Sequence, residues 1–259
     1  MEGGLARLNF RDLGGLPVTG GLRIRPHVLY RCQGPASLNN DDRQELASLG
    51  IRLVCDLRSE VERAQAMHDW GAATALMNLN LPNDFASGTG FALRMLLDDS
   101  TVAGAKSAMR ASYAAMPAAI RPHLAPIVDA ICEGRLPALF HCSAGKDRTG
   151  VLVALLMLSI GVARDAVISD YMRSESFGHG LRAKGPLAHA FGTMFGFSVD
   201  EQAVTAIVGV DAEYLTAALE AIDAVWGSMD GYFASAGVDD RRRNALRETV
   251  TETITVSEG

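Results

Sequence analysis

The chain predicts an α/β fold with a central, mostly parallel sheet covered by helices, and three observations carry that expectation. A β-rich run at 51–55 is followed at once by the helix-start signal Ser59-Glu60-Val61-Glu62. A short apolar run at 136–140 passes through a polar loop into 151–160, which is hydrophobic on every side and so reads as a buried helix. The rest of the chain is largely Ala- and Leu-rich with helical spacing, and strands alternating with helices make a sheet covered on both faces.

Size and composition narrow the classes further. With 259 residues the chain fits one hydrophobic core, and no repeat or low-complexity linker divides it, so a single domain over 1–259 is expected. A hydrophobic share of 48% against 21% charged excludes disorder as the main state. The net charge of −6 leaves no broad basic surface, so no nucleic-acid partner is expected and any phosphate must be met locally. The longest apolar run is about half of the ~20 residues a membrane span needs, and Met1-Glu2-Gly3-Gly4 has no basic start, so neither membrane insertion nor Sec export is expected. Cys32, Cys55, Cys132 and Cys142 lie far apart with no C-x-x-C pair, which favours a reduced, cytoplasmic chain over a disulfide framework or a zinc ribbon.

Each element follows from local signals. Residues 6–31 alternate apolar runs with the turn pairs Gly14-Gly15 and Gly20-Gly21, predicting an antiparallel hairpin region at a sheet edge. The acidic start at Asn39-Asn40-Asp41-Asp42 and the stop at Gly50 predict a short helix that feeds the strand 51–55. A helix at 60–67, a strand at 74–79 and a polar loop from Leu81-Pro82-Asn83-Asp84 follow. From 91 to 133 the texture predicts two or three helices broken near Gly104, Pro117 and Pro122. Beyond the buried helix come helices at 164–173 and 211–226, a loose stretch to about 197 between them, and short helices at 229–236 and 239–251.

The chemistry concentrates in His141-Cys142-Ser143-Ala144-Gly145-Lys146-Asp147-Arg148-Thr149-Gly150, a strand–loop–buried helix junction of the kind that binds anions. Five residues separate Cys142 from Arg148, so a loop curled around a tetrahedral anion sets the sulfur against the central atom and closes the guanidinium over two oxygens. Ser143, Ala144, Gly145, Lys146, Asp147 and Arg148 supply the cradle. A nucleophilic cysteine must be a thiolate, and a helix N-terminus, converging amides and a guanidinium all favour that form. Gly145 permits a backbone conformation that a side chain obstructs. Thr149 stands where its hydroxyl can stabilise the sulfur as a leaving group, and His141 orders the loop by hydrogen bonding. A Walker A loop is excluded, because Asp147 follows Gly145-Lys146 where Ser or Thr is needed.

This loop resembles that of the cysteine-dependent protein tyrosine phosphatases, in particular the bacterial atypical branch of dual and triple specificity. Asn9-Phe10-Arg11-Asp12-Leu13-Gly14-Gly15, Cys55-Asp56-Leu57-Arg58-Ser59, Tyr214-Leu215, Gly227-Ser228 and Gly231-Tyr232 are similar to the same family in the same order. The resemblance implies metal-independent hydrolysis of phosphomonoesters through a cysteinyl-phosphate, with no cofactor, Cys142 attacking and Arg148 binding. It implies phosphotyrosine as substrate, extending to phosphoserine or phosphothreonine and, through the Lys146-Asp147 pair, to phosphoinositides. Lys146 either meets a second phosphate or only tunes the loop's potential. The resemblance also allows delivery into a host cell without a Sec signal, and leaves oligomeric state open.

Three aspartates compete for the general acid: Asp147 in the loop, Asp56 at the C-terminal end of a strand, and Asp84 in the Pro-Asn-Asp loop. The bland readings are a carboxylate paired with Arg58 or Arg52 for Asp56, and an Asx-turn for Asp84. No Trp-Pro-Asp tripeptide, the usual source of the acid in classical relatives, occurs. Arg11 and Asp12 read as structural, with contact between one of them and the site as the alternative. Cys55 is either a disulfide partner for Cys142 or a buried inert thiol. Segment 85–135 is either a helical lid or an ordinary covering layer, and Arg241-Arg242-Arg243 reads as a solvated helix face. His27, His68, His123, His179 and His189 lack metal-ligand spacing, so no metal site is expected. A phosphate-binding module without turnover and a sulfurtransferase-like enzyme are the alternative functions.

Overall fold

A computed structural model describes residues 4–34, 38–66, 70, 73–82, 99–175 and 200–254. Among the described residues the main sheet has five strands: β1 (Arg11–Asp12), β4 (Leu29–Gln33), β7 (Ala138–Cys142), β5 (Leu53–Asp56) and β6 (Ala75–Asn78), side by side in that order. Only β1 runs antiparallel, against β4, and the other pairings are parallel. β7 is therefore the central strand although it comes late in the chain. All five of its residues are buried, as a parallel strand covered on both faces requires.

Alternate residues of the strands feed two apolar clusters. Tyr30, Cys32, Val54 and Leu139 face one way, onto Leu5 and Leu8 of a 3-10 turn (Gly4–Leu8) and Leu46 of α1 (Asn40–Ser48). Leu29, Leu53, Cys55 and Phe140 face the larger cluster, whose centre is α5 (Asp147–Ser159), buried along almost its whole length. The capping box expected at Ser59–Glu62 closes, and the acidic start at Asn39 forms a second one that the sequence reading did not name. Asn39 caps α1 reciprocally with Asp42, and Ser59 caps α2 (Glu60–Gln65) reciprocally with Glu62.

Several expectations need correction. The N-terminal hairpin is shared between two sheets: β1 edges the main one, while β2 (Pro17–Val18) and β3 (Leu22–Ile24) pair with a strand the sequence did not suggest, β8 (Thr251–Thr253). β8 follows directly on helix α10 (Asp240–Val250), and Leu22, Arg23 and Ile24 pair with it residue by residue. The break expected at Pro117 is absent, since α3 runs unbroken over Val102–Ile120. Pro117 removes one intrahelical donor near the C-terminal end, a cost that the packing of the helix offsets. Its carbonyl accepts from the Tyr232 hydroxyl at 2.8 Å, while Met109, Tyr113, Met116 and Ile120 hold the helix in the core. The chain then turns at Arg121–His123, where Pro122 stands, into α4 (Leu124–Cys132). The buried helix starts four residues earlier than expected, at Asp147, so Asp147 and Arg148 lie in its first turn.

The remaining described elements are helices: α6 (Arg164–Met172), α7 (Glu201–Val208), α8 (Ala212–Trp226), α9 (Met229–Ser235) and α10. α3 packs along α8 and α7, so the described part of 85–135 is built into the helical layer. Arg242 and Arg243 pair with Asp129 and Asp230 on neighbouring elements and do more than face solvent. Among the described residues no helix is long and apolar enough to cross a membrane.

Candidate active site

The loop joins the C-terminal end of β7 to the N-terminus of α5, with Cys142 the last strand residue and Lys146 the helix N-cap. Gly145 takes the left-handed conformation (φ +67°), and a Cβ there would stand 2.2 Å from the Cys32 carbonyl oxygen, so glycine is required on both counts. Cys142 is 1% exposed at the floor of the loop, facing the first turn of a helix whose dipole favours an anion.

Arg148 is as deeply buried, and its charge is met by a residue that sequence reasoning had placed only in a cap. Nη1 and Nη2 donate to the two carboxylate oxygens of Glu62, at 2.6 and 2.8 Å. Glu62 also accepts from the Ser143 hydroxyl and from the Ser59 N–H at 2.9 Å. Burial alone would raise its pKa, but the bonds and charge of Arg148, with the Ser143 and Ser59 donors, pull it down to about 2. Because Glu62 holds the Nη1–Nη2 edge, the edge containing Nε is the one left for an oxyanion. Residue spacing gave no signal for this contact, because Glu62 and Arg148 stand far apart in the chain.

The three candidate acids have different surroundings. Asp56 is closed around Arg58, accepting from Nη2 at 2.7 Å, from Nε at 3.0 and 3.1 Å, and from the Arg58 N–H at 2.9 Å. Burial pushes the Asp56 pKa up, but Arg58 and the nearby His141 outweigh it and hold the carboxyl below its ordinary range. Asp147 accepts from the Tyr113 hydroxyl at 2.6 Å and stands 3.2 Å from Lys146 Nζ. Burial, with Asp147 and Tyr171 alongside, keeps the Tyr113 phenol well above its usual pKa, so it remains a proton donor. The Tyr171 hydroxyl lies 2.8 Å from that of Tyr113. Asp84 falls outside the described residues.

Other expected residues find defined places. Lys146 is buried, and its ammonium donates to the carbonyls of Ile207 and Gly209, at 2.8 and 2.7 Å, at the C-terminal end of α7. Thr149 is fully buried, and its hydroxyl finds no hydrogen-bond partner among the described residues. His141 points to the opposite face from Cys142, with Nδ1 3.3 Å from the Cys142 carbonyl and its ring tilted against Trp70. Cys55 is a free thiol with 0% exposure, and burial pushes its pKa up. Asp12 holds a turn, accepting from the N–H groups of Gly14 and His27. Among the described residues no group of three or more His, Cys, Asp or Glu side chains is arranged to hold a metal ion.

The loop thus buries a thiol, Cys142, and an arginine, Arg148, between a central strand and a helix N-terminus. The model of the tyrosine phosphatase family matches residues 6–252. The chain belongs to that family. It is 34% identical over 240 residues to a Cupriavidus necator protein provisionally named a tyrosine-protein phosphatase, covering 88% of this chain and 81% of the relative. It is 31% identical over 277 residues to the triple specificity protein phosphatase PtpB of Mycobacterium tuberculosis, covering 92% and 95%. A tyrosine-protein phosphatase of Nostoc commune is 24% identical over 211 residues, covering 81% and 69%. As a tyrosine phosphatase, the chain keeps its loop, its sheet and its helical layer within the matched region.

Proposed function

We propose that this phosphatase hydrolyses phosphotyrosine without a metal, through a cysteinyl-phosphate on Cys142, with phosphoserine, phosphothreonine and phosphoinositides as further substrates to be ranked. The observation that carries the reading is the pairing of a floor thiol with Arg148, held by Glu62 at the mouth of a helix N-terminus. The Cys142 thiolate attacks phosphorus, the bond from phosphorus to the ester oxygen breaks, and that oxygen takes a proton from Asp147. Water then attacks the cysteinyl-phosphate, giving its proton back to Asp147 as the sulfur leaves. Arg148 and the loop amides take up the negative charge of both transition states, and the Thr149 hydroxyl, buried with no partner among the described residues, is assigned to the departing sulfur.

Asp147 is favoured over Asp56 because both oxygens of Asp56 are occupied by Arg58, whereas Asp147 starts the helix that follows the nucleophile. The contacts of Lys146 with α7 favour its loop-tuning role over a meeting with a second phosphate. Phosphoinositides therefore rank behind phosphotyrosine in this proposal.

The test is phosphate release, in chelator, from a phosphotyrosine peptide, a phosphoserine peptide and a phosphoinositide series. Cys142→Ser is expected to abolish release. Asp147→Asn should slow release from alkyl phosphates far more than from an aryl phosphate, whose leaving group needs little help from an acid. Release that survives Cys142→Ser would overturn the mechanism.

A further inference from the structure

The segment Asn9-Phe10-Arg11-Asp12 stands apart in the sequence, and the reaction above makes no use of it. Asn9 Nδ2 donates to the carbonyl of Gly145 at 3.0 Å and reaches that of Ala144 at 3.3 Å. Arg31, from β4, donates through Nη2 to the same Gly145 carbonyl at 2.9 Å and lies 3.5 Å from that of Lys146. We propose that Asn9 and Arg31 are positioning residues that aim the amides of the phosphate loop, with Arg11 and Asp170 holding both in place. The inference rests on reading the loop as the phosphate site.

In a trans peptide the carbonyl and the following N–H point in opposite directions. Donors that fix the carbonyls of Ala144 and Gly145 on the outside of the loop thus turn the N–H groups of Gly145 and Lys146 inward, where a phosphoryl group sits. Converging N–H dipoles repel one another when no anion is present, so an unanchored loop relaxes by rotating a peptide. An outside donor on each carbonyl opposes that rotation. The charge on Arg31 also polarises the Gly145–Lys146 peptide and makes the Lys146 N–H a stronger donor.

The clamp is fixed in turn. Asn9 Oδ1 accepts from Arg11 Nη1 at 2.8 Å, which decides that the amide end of Asn9 faces the loop. Asn9 has φ +54°, a conformation that asparagine tolerates better than most residues. Arg11 donates to the Asp170 carboxylate at 2.8 and 3.1 Å and to its carbonyl at 2.8 Å, and Arg31 donates to the same carboxylate at 3.0 Å. Arg31 and Asp170 are both almost wholly buried. Two buried arginines on one carboxylate leave a surplus of positive charge behind a loop that receives an anion. Burial and the neighbouring Arg31 lower the Arg11 pKa to about 10, against the pull of Asp170, so Arg11 is still a cation at neutral pH.

Asn9→Gly removes the amide without straining the left-handed backbone, and Asn9→Asp puts an acceptor where the donor was. Leu8→Ala, which opens a cavity in the apolar cluster just before the segment, controls for loss of stability. Each variant and the wild type are assayed for thermal midpoint, for KM and kcat on a phosphotyrosine peptide, and for the inorganic phosphate concentration that half-protects Cys142 from iodoacetamide. Asn9→Gly is expected to raise KM and the half-protecting concentration together, about three- to tenfold, with a smaller change in kcat. Asn9→Asp should raise both further, while Leu8→Ala lowers the thermal midpoint and leaves half-protection within about twofold of wild type. A shift for Asn9→Gly and Asn9→Asp no larger than that of Leu8→Ala, or a loss confined to kcat, would overturn the proposal. Wild-type labelling that phosphate does not slow is a separate result, one that overturns the reading of the loop itself.

Discussion

At the scale of the residue, the site depends on side chains whose partners lie far away in sequence. Glu62 holds the Arg148 fork from another helix, so Glu62→Gln should leave the guanidinium free to swing and lower kcat/KM about 10- to 100-fold, as misplacement by about an ångström does. Steady-state kinetics on a phosphotyrosine peptide checks this, and an unchanged kcat/KM would show that Arg148 needs no anchor. Tyr113 is bonded to Asp147 at 2.6 Å from the middle of α3. Tyr113→Phe is expected to slow hydrolysis of alkyl phosphates roughly tenfold while an aryl phosphate is little affected. Equal losses on both substrates would assign Tyr113 to packing alone.

At the scale of the element, α8 is capped by Asp211, whose side chain accepts from the Glu213 N–H and pairs with Lys106 of α3 at 3.0 Å. Asp211→Ala should cost about 1 kcal/mol, lowering the thermal midpoint by about 2–4 °C. A midpoint equal to wild type would show that the cap contributes nothing. The elements best read from sequence are those that local chemistry dictates: the capping box Ser59–Glu62, the strand before Cys142, the buried helix after it and the helical face Tyr214, Leu215, Ala218, Leu219, Ile222, Val225 and Trp226, which α8 buries as far as Ile222 and half-buries at Trp226 but leaves exposed at Val225. Those that escaped were set by distant partners. β8 carries only Thr251–Thr253 and is a strand because β3 is there to pair with it. Pro117 reads as a breaker until the packing of α3 against α8 is known. In the site, Cys142 and Arg148 were legible from spacing, whereas Glu62 and Tyr113 were hidden because a contact across more than thirty residues leaves no local pattern. Arg31 did leave one, a lone cation inside the otherwise poorly charged strand Leu29–Gln33.

At the scale of the whole molecule, stability and acidity are linked through Glu62. Its folded pKa lies below the unfolded value, so its contribution is present above the ordinary glutamate range of about 4.3 and is lost as pH falls towards about 2. Denaturant unfolding followed from pH 6 to pH 2 should show a steeper loss for wild type than for Glu62→Gln, and parallel curves would refute the link. The place of β7 bears on assembly as well. β4 and β5 flank a gap that only residues 138–142 can fill, so neither has its inner neighbour until that late segment pairs with both at once. Ordering the sheet's centre is therefore a long-range closure, and it sets a high contact order for folding. On a ribosome, the earlier strands wait as two open edges until β7 emerges, and the phosphate loop, carried on the end of that strand, takes shape with its arrival.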